Sequence, residues 1–149
     1  MQRMRRAVRP EALPARGGRA PGARGPGRVS ARLLVVDDEE VIRQVLSRMM
    51  VPKGFEVRCA SSAEEALALL EKEAFDVILL DNVLPGMTGL RALGEILARS
   101  RAPVVMMTGH FDPEFQKDAR LLGASAFVAK PLDFDVLEGE IRKLVPEKR

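Results

Sequence analysis

The chain has 149 residues, 46% of them apolar, with no Trp or Tyr and one Cys, which suits one domain with a mostly aliphatic core. Its longest uninterrupted apolar run, Ala66 to Leu70, is far too short for a membrane span, and the lone Cys59 excludes an internal disulfide and fits a reducing cytoplasm. The formal charge of +3 divides unevenly: residues 1–30 hold eight Arg and one acid (net +7), leaving 16 basic and 20 acidic residues (net −4) beyond them. The folded part is therefore acidic, which argues against a basic nucleic-acid-binding domain.

Residues 1–30, typified by "PARGGRAPGARGPGRVS", are too poor in apolar surface to offset their ordering entropy and are expected to be disordered. They read either as an extension without function or as a tether for nucleic acid or an anionic surface. From Arg32 onward the chain alternates. Apolar runs rich in branched residues, "RLLVVD", "FEVRCA", "FDVILLD", "PVVMMT" and "SAFVAK", predict five strands. Cys59 is expected as a small buried hydrophobe in the second of them.

Helical spacing fills the intervals. Val41, Ile42, Val45, Leu46, Met49 and Met50 predict the core face of a first helix, ended by Pro52-Lys53-Gly54. Ser61 and Glu64 predict a capping box for the second, faced by Ala63, Ala66, Leu67 and Leu70. Leu90, Leu93 and Leu97 mark a third, Pro113 to Leu122 a fourth stopped by Gly123, and Asp133 caps a fifth faced by Val136, Leu137, Ile141 and Leu144. Met49, Met50, Met106 and Met107 read as core filler. Strict β/α alternation implies a parallel sheet wound with helices on both faces.

In such sheets ligands bind beyond the carboxyl ends of the strands. The residues there are Asp37 and Asp38 after the first strand, Asp81 after the third, Thr108 after the fourth and Lys130 after the fifth. Two carboxylates about 4 Å apart repel by roughly 4 kcal/mol at an effective dielectric near 20, so the acids of "VVDDEE" call for a counter-charge. Three Asp and one Lys leave −2, which one hard divalent cation would neutralise. Mg²⁺ suits oxygen ligands, and the lack of His or Cys at these positions argues against zinc. Lys130 and Thr108 then suit an anion sharing the metal, and a phosphoryl group fits because its transfer needs mainly positioning and charge neutralisation. Asp81 is the expected nucleophile.

The acidic pair in "VVDDEE", "DNVLPGMTGL" around Asp81, "VVMMTGH" with Thr108 and "GASAFVAKP" with Lys130-Pro131 occur in the order of a known family. Arg32 to Val145 resembles the receiver domain of two-component response regulators. The resemblance implies a doubly wound, flavodoxin-like α/β fold whose five parallel strands lie in the order 2-1-3-4-5. It places the domain at residues 31–146, between the tail 1–30 and a C-terminal tail at 147–149. Asp81 would accept a phosphoryl group from a histidine kinase or histidine phosphotransfer protein. Asp38 would bind Mg²⁺ directly, Asp37 directly or through water, and the Val83 backbone carbonyl would complete the protein ligands. Lys130 would pair with Asp81 or the phosphoryl oxygens, with a cis bond to Pro131. Thr108 and Phe127 would form the switch, moving the face made by the fourth helix, fifth strand and fifth helix.

Phe127 stands where many receivers have Tyr, and it also reads as plain core. Val83 and His110 occupy positions that tune phosphoryl hydrolysis in the family; Val83 cannot hold an attacking water, and His110 reads as either a water ligand or a solvated loop residue. Phe111 and Phe115 read as helix packing or as a docking contact. Glu39 and Glu40 are expected simply to begin a helix.

The expected function is a single-domain phosphoacceptor, rather than a turnover enzyme, that controls a target protein. No DNA-binding output domain or membrane span is expected, and the folded part should be a monomer or transient dimer. The competing readings are a phosphorylation-independent docking module, tail-mediated binding to nucleic acid or membrane, a small-molecule phosphatase, and a fragment of a larger regulator.

Overall fold

The computed structural model describes residues 31–110 and 112–145, which fall within one compact unit. The expected tails at 1–30 and 147–149, and Phe111, lie outside the described residues. The strands are β1 (Arg32–Val36), β2 (Glu56–Ala60), β3 (Val77–Asp81), β4 (Val104–Thr108) and β5 (Ala126–Ala129). The helices are α1 (Glu40–Met50), α2 (Ala63–Lys72), α3 (Gly89–Arg99), α4 (Pro113–Leu122) and α5 (Phe134–Leu144).

All five strands are parallel and lie in the order β2-β1-β3-β4-β5, the doubly wound arrangement expected. The register places Leu34 beside Ile78 and Leu80 beside Met106, so side chains alternate between two cores. Leu34, Val36, Ile78, Leu80 and Met106 face Ala63, Ala66, Leu93, Ile96 and Ala119 of α2, α3 and α4. Leu33, Val35, Leu79 and Met107 face Leu46 and Met50 of α1 and Leu137 and Ile141 of α5. With both faces covered, β1, β3 and β4 have no polar alternation, which explains their unbroken apolar runs. Each fully buried Leu, Ile or Val contributes about 1.5–3 kcal/mol.

Several helix faces are narrower than their sequence suggests. Ile42, Leu46 and Met50 form the stripe of α1 that meets the sheet, whereas Val41 is 68% and Met49 38% exposed. At 100° per residue the flanking positions rotate out of a contact only one stripe wide. Met49 is therefore surface, not core filler. Val136 is likewise 53% exposed, because Leu137 and Ile141 carry the α5 contact. Cys59 lies in β2 but only half-buried, as β2 is an edge strand, and its Sγ is 3.6 Å from Ser47 Oγ.

The helix ends follow local chemistry. A 3-10 turn over Val51–Lys53 follows α1 and closes at Gly54 with φ 99°. The α2 cap falls one residue later than expected: Ser62, not Ser61, accepts the Glu65 N–H at 3.1 Å, and Glu65 Oε1 accepts the Ser61 N–H. Ala63 and Ala66 must both reach the core, which sets the helix start. Thr88 caps α3, Asp112 caps α4 with Pro113 behind it, and Asp133 caps α5.

One element escaped the sequence reading. Val83–Leu84 pairs antiparallel with Met87–Thr88, joined by Pro85-Gly86 with Gly86 at φ 72°. Proline followed by a glycine in the left-handed region is what a type II turn requires. The shifted cap predicts that Ser62→Ala lowers unfolding free energy by about 1 kcal/mol, while Ser61→Ala changes it by less than about 0.5 kcal/mol, in urea titrations followed by circular dichroism.

Candidate functional site

The switch point of the sheet lies between β1 and β3, where their carboxyl ends diverge into separate loops. Asp37 leaves β1 completely buried, its backbone N–H bonded to the Ala60 carbonyl at 3.1 Å. One carboxylate oxygen, Oδ1, accepts the Glu39 N–H at 2.9 Å, and the other, Oδ2, accepts from Lys130 Nζ at 2.8 Å. Asp38, next in the chain, is exposed. Asp81 ends β3 and is only 6% exposed. Lys130 follows β5 and reaches Asp81 Oδ1 at 3.2 Å, through a residue whose bond to Pro131 is cis. One oxygen from each of Asp37, Asp38 and Asp81 lies within 4.8 Å of the others.

The expected residues thus converge, with one difference in pairing. Lys130 was expected on Asp81, and its shorter contact is to Asp37. Glu39 also joins the ammonium at 3.5 Å, beyond its expected part in starting α1. The signal for Glu39 was its long side chain at a helix start, where short ones cap.

Thr108 ends β4, buried; its hydroxyl donates to the His110 carbonyl at 2.8 Å and its oxygen accepts the His110 N–H at 3.2 Å. The His110 side chain is in an exposed position. The Lys130 N–H bonds the Thr108 carbonyl at 2.8 Å, which ties the ends of β4 and β5. Phe127 is half-buried against the α2–α4 core, with the Arg120 guanidinium 4.7 Å from its ring centroid. Phe115 also packs on that core and lines a cavity of about 580 Å³ with Leu84, Met87 and Leu90. The Val83 side chain is exposed. Gly89 is required opposite the loop after Asp81, because a Cβ there would collide with the Asn82 side chain and carbonyl.

The electrostatics follow from this crowding. Burial, and then the Asp37 charge, push the Asp81 carboxyl above its ordinary value; Lys130 and the Val83 N–H pull it back only in part. Burial alone would lower the Lys130 ammonium, but the hydrogen bond it donates to Asp37 and the charge of Asp81 outweigh it and raise it. The donor set is all oxygen and carries excess negative charge, so its chemistry fits a hard dication such as Mg²⁺.

Two outcomes test this balance in divalent-free buffer. Protonated Asp81 is favoured in the fold, so native protein binds more protons and stability falls as pH rises from 3.8 through the raised folded value. Asp81→Asn removes that loss and should raise the melting temperature near neutral pH by a few degrees, while Lys130→Ala should cost about 3 kcal/mol by stranding buried carboxylates. Calorimetry across pH checks both.

Comparison with known proteins agrees with the geometry. The family model "Response regulator receiver domain" matches residues 33–142. Regulatory protein AtoC of Escherichia coli is 39% identical over 107 residues, covering 71% of this chain and 23% of AtoC. Sensory transduction protein RegX3 of Mycolicibacterium smegmatis is 37% identical over 114 residues, covering 76% of this chain and 50% of RegX3. This chain therefore spans half or less of the length of these two relatives. Among solved structures, chemotaxis protein CheY4 of Vibrio cholerae superposes with a TM-score of 0.73 at 31% identity, covering 78% of this chain and 100% of that one. NtrX from Brucella abortus superposes at 0.72 with 35% identity, covering 78% of this chain and 27% of that one. The chain belongs to the response regulator receiver domain family.

Proposed function

We propose that Asp81 is the phosphoacceptor of a two-component signalling protein. The observation that carries this reading is the buried Asp81 carboxylate at the sheet edge, 3.2 Å from Lys130 Nζ and grouped with Asp37 and Asp38. The donor would be a phosphohistidine on a histidine kinase or histidine phosphotransfer protein. An Asp81 oxygen forms the new bond to phosphorus as the P–N bond breaks, and the electron pair of that bond leaves with the imidazole. Lys130 contributes positive charge to the transferred oxygens, and the burial of Asp81 strengthens that contact. Asp38 and Asp37, with Asp81 and the Val83 carbonyl, would hold Mg²⁺. When bound, the dication neutralises the carboxylates and the phosphoryl oxygens.

Thr108 is the first part of the switch. Its hydroxyl leaves the His110 carbonyl to donate to a phosphoryl oxygen, and Phe127 turns into the space released. The phosphoryl group thus shifts an existing equilibrium of the α4-β5-α5 face, which a downstream target protein reads. Val83 carries no polar side-chain atom to position water, so the aspartyl phosphate should be long-lived, with His110 as the neighbouring group able to orient a water. The receiver acts in the cytoplasm as a monomer or transient dimer, and as a phosphoacceptor rather than a turnover enzyme.

Intact-protein mass after incubation with a small phosphodonor and Mg²⁺ tests the reading. The expected result is a gain of one phosphoryl group that requires Mg²⁺ and is absent in Asp81→Asn. A folded wild-type protein that gains nothing would favour a docking module that works without phosphorylation. Mg²⁺ alone should also raise the wild-type melting temperature, and Asp38→Asn should reduce that rise.

A further inference from the structure

Glu39 occupies a position that helix chemistry does not favour for it. It is the N-cap of α1, where short side chains reach the free N–H groups of the first turn, and it makes no side-chain cap bond. Its carboxylate instead lies 3.5 Å from Lys130 Nζ, with the side chain 62% exposed. The three carboxylates around that ammonium therefore differ in freedom. Asp37 is fully buried and bonded through both oxygens, and Asp81 is nearly buried. Glu39 faces solvent and can leave Lys130 without breaking a backbone bond.

We propose that Glu39 is a positioning residue for Lys130 and a gate against small, highly charged phosphodonors. The proposal rests on Asp81 as the phosphoacceptor. An anion that reaches the Lys130 ammonium comes within a few ångströms of the exposed Glu39 carboxylate, which lies 3.5 Å from Nζ. With Glu39 in place, the four carboxylates and one ammonium give the site mouth a formal charge of −3, which a bound dication reduces to −1. Repulsion from Glu39 should slow a small donor by about 3- to 10-fold per unit of donor charge at low salt. A protein donor brings its phosphoryl group on a docked surface, whose contacts offset the same repulsion. Once the phosphoryl group is on Asp81, Lys130 follows it and Glu39 is released to solvent. The gate thus favours phosphohistidine proteins over free phosphodonors.

The experiment uses the full chain at saturating Mg²⁺ and follows initial phosphorylation rates by intact mass. The donors are acetyl phosphate, a dianion near neutral pH, and phosphoramidate, which carries one negative charge fewer. Wild type, Glu39→Gln and Glu40→Gln are compared. Glu40 is the next residue, hydrogen-bonded to Gln44 at 3.0 Å, so its replacement removes equal formal charge without touching Lys130. The expected result is that Glu39→Gln raises the second-order rate constant about 3- to 10-fold more for acetyl phosphate than for phosphoramidate. That excess should shrink toward 1 in about 1 M salt, and Glu40→Gln should stay within about 2-fold of wild type. Equal effects on both donors, no effect, or the same effect from Glu40→Gln overturns the gate while leaving Asp81 as acceptor. If wild type and Glu39→Gln both take phosphate from neither donor, the Asp81 reading is overturned, and the gate with it.

Discussion

The Lys130 ammonium lies among three carboxylates at the edge of the sheet, and every other feature of the site is arranged around that contact. Asp37 and Asp81 end neighbouring strands and are almost wholly removed from water. Two such anions would push their loops apart, because their repulsion grows as the dielectric falls. Lys130 arrives from β5, 93 residues beyond Asp37, so the counter-charge comes only with the complete sheet. Strand order, burial and site electrostatics are in this sense one constraint. The site remains short of positive charge even so, because one ammonium faces three carboxylates. That residual deficit makes it receptive to a dication.

The strands were legible because a parallel sheet covered on both faces leaves no choice of residue type: "DVILL" and "PVVMM" permit little besides a buried strand. The helices were legible in number and nearly in their bounds, but less so in orientation. An apolar stripe locates a face to within one position on either side, and the width of the groove it fills is a property of the partner. Val41, Met49 and Val136 are apolar flanks that the sheet does not reach. The one-residue error at Ser61 has the same origin, since either serine can cap and only the packing of Ala63 and Ala66 decides between them.

Which side chains gather at the site was also legible, because topology sends the residue after each strand to the same edge. How they pair was not. Sequence carries no record of distance, and Lys130 had several carboxylates within reach of a flexible four-carbon stem. Its shorter contact fell on the buried Asp37, where less solvent competes for the charge. The Pro85-Gly86 hairpin was missed because two-residue strands leave no periodicity; only the turn residues signalled it.

The proposed switch depends on how weakly the present arrangement is held. Thr108 is tied to the His110 backbone by neutral hydrogen bonds, each worth about 0.5–1.5 kcal/mol net. Phe127 has no hydroxyl, so its directional tie is the Arg120 guanidinium over its ring, worth about 0.5–1 kcal/mol at an exposed site. A hydrogen bond from Thr108 to a phosphoryl oxygen would return about 1.5–3 kcal/mol. These magnitudes nearly cancel, so neither state is locked, and each 1.4 kcal/mol of difference moves the populations tenfold. A phosphoryl group therefore need not force the domain into a new fold. It has only to outbid one backbone carbonyl for one hydroxyl, and the aromatic on β5 can follow.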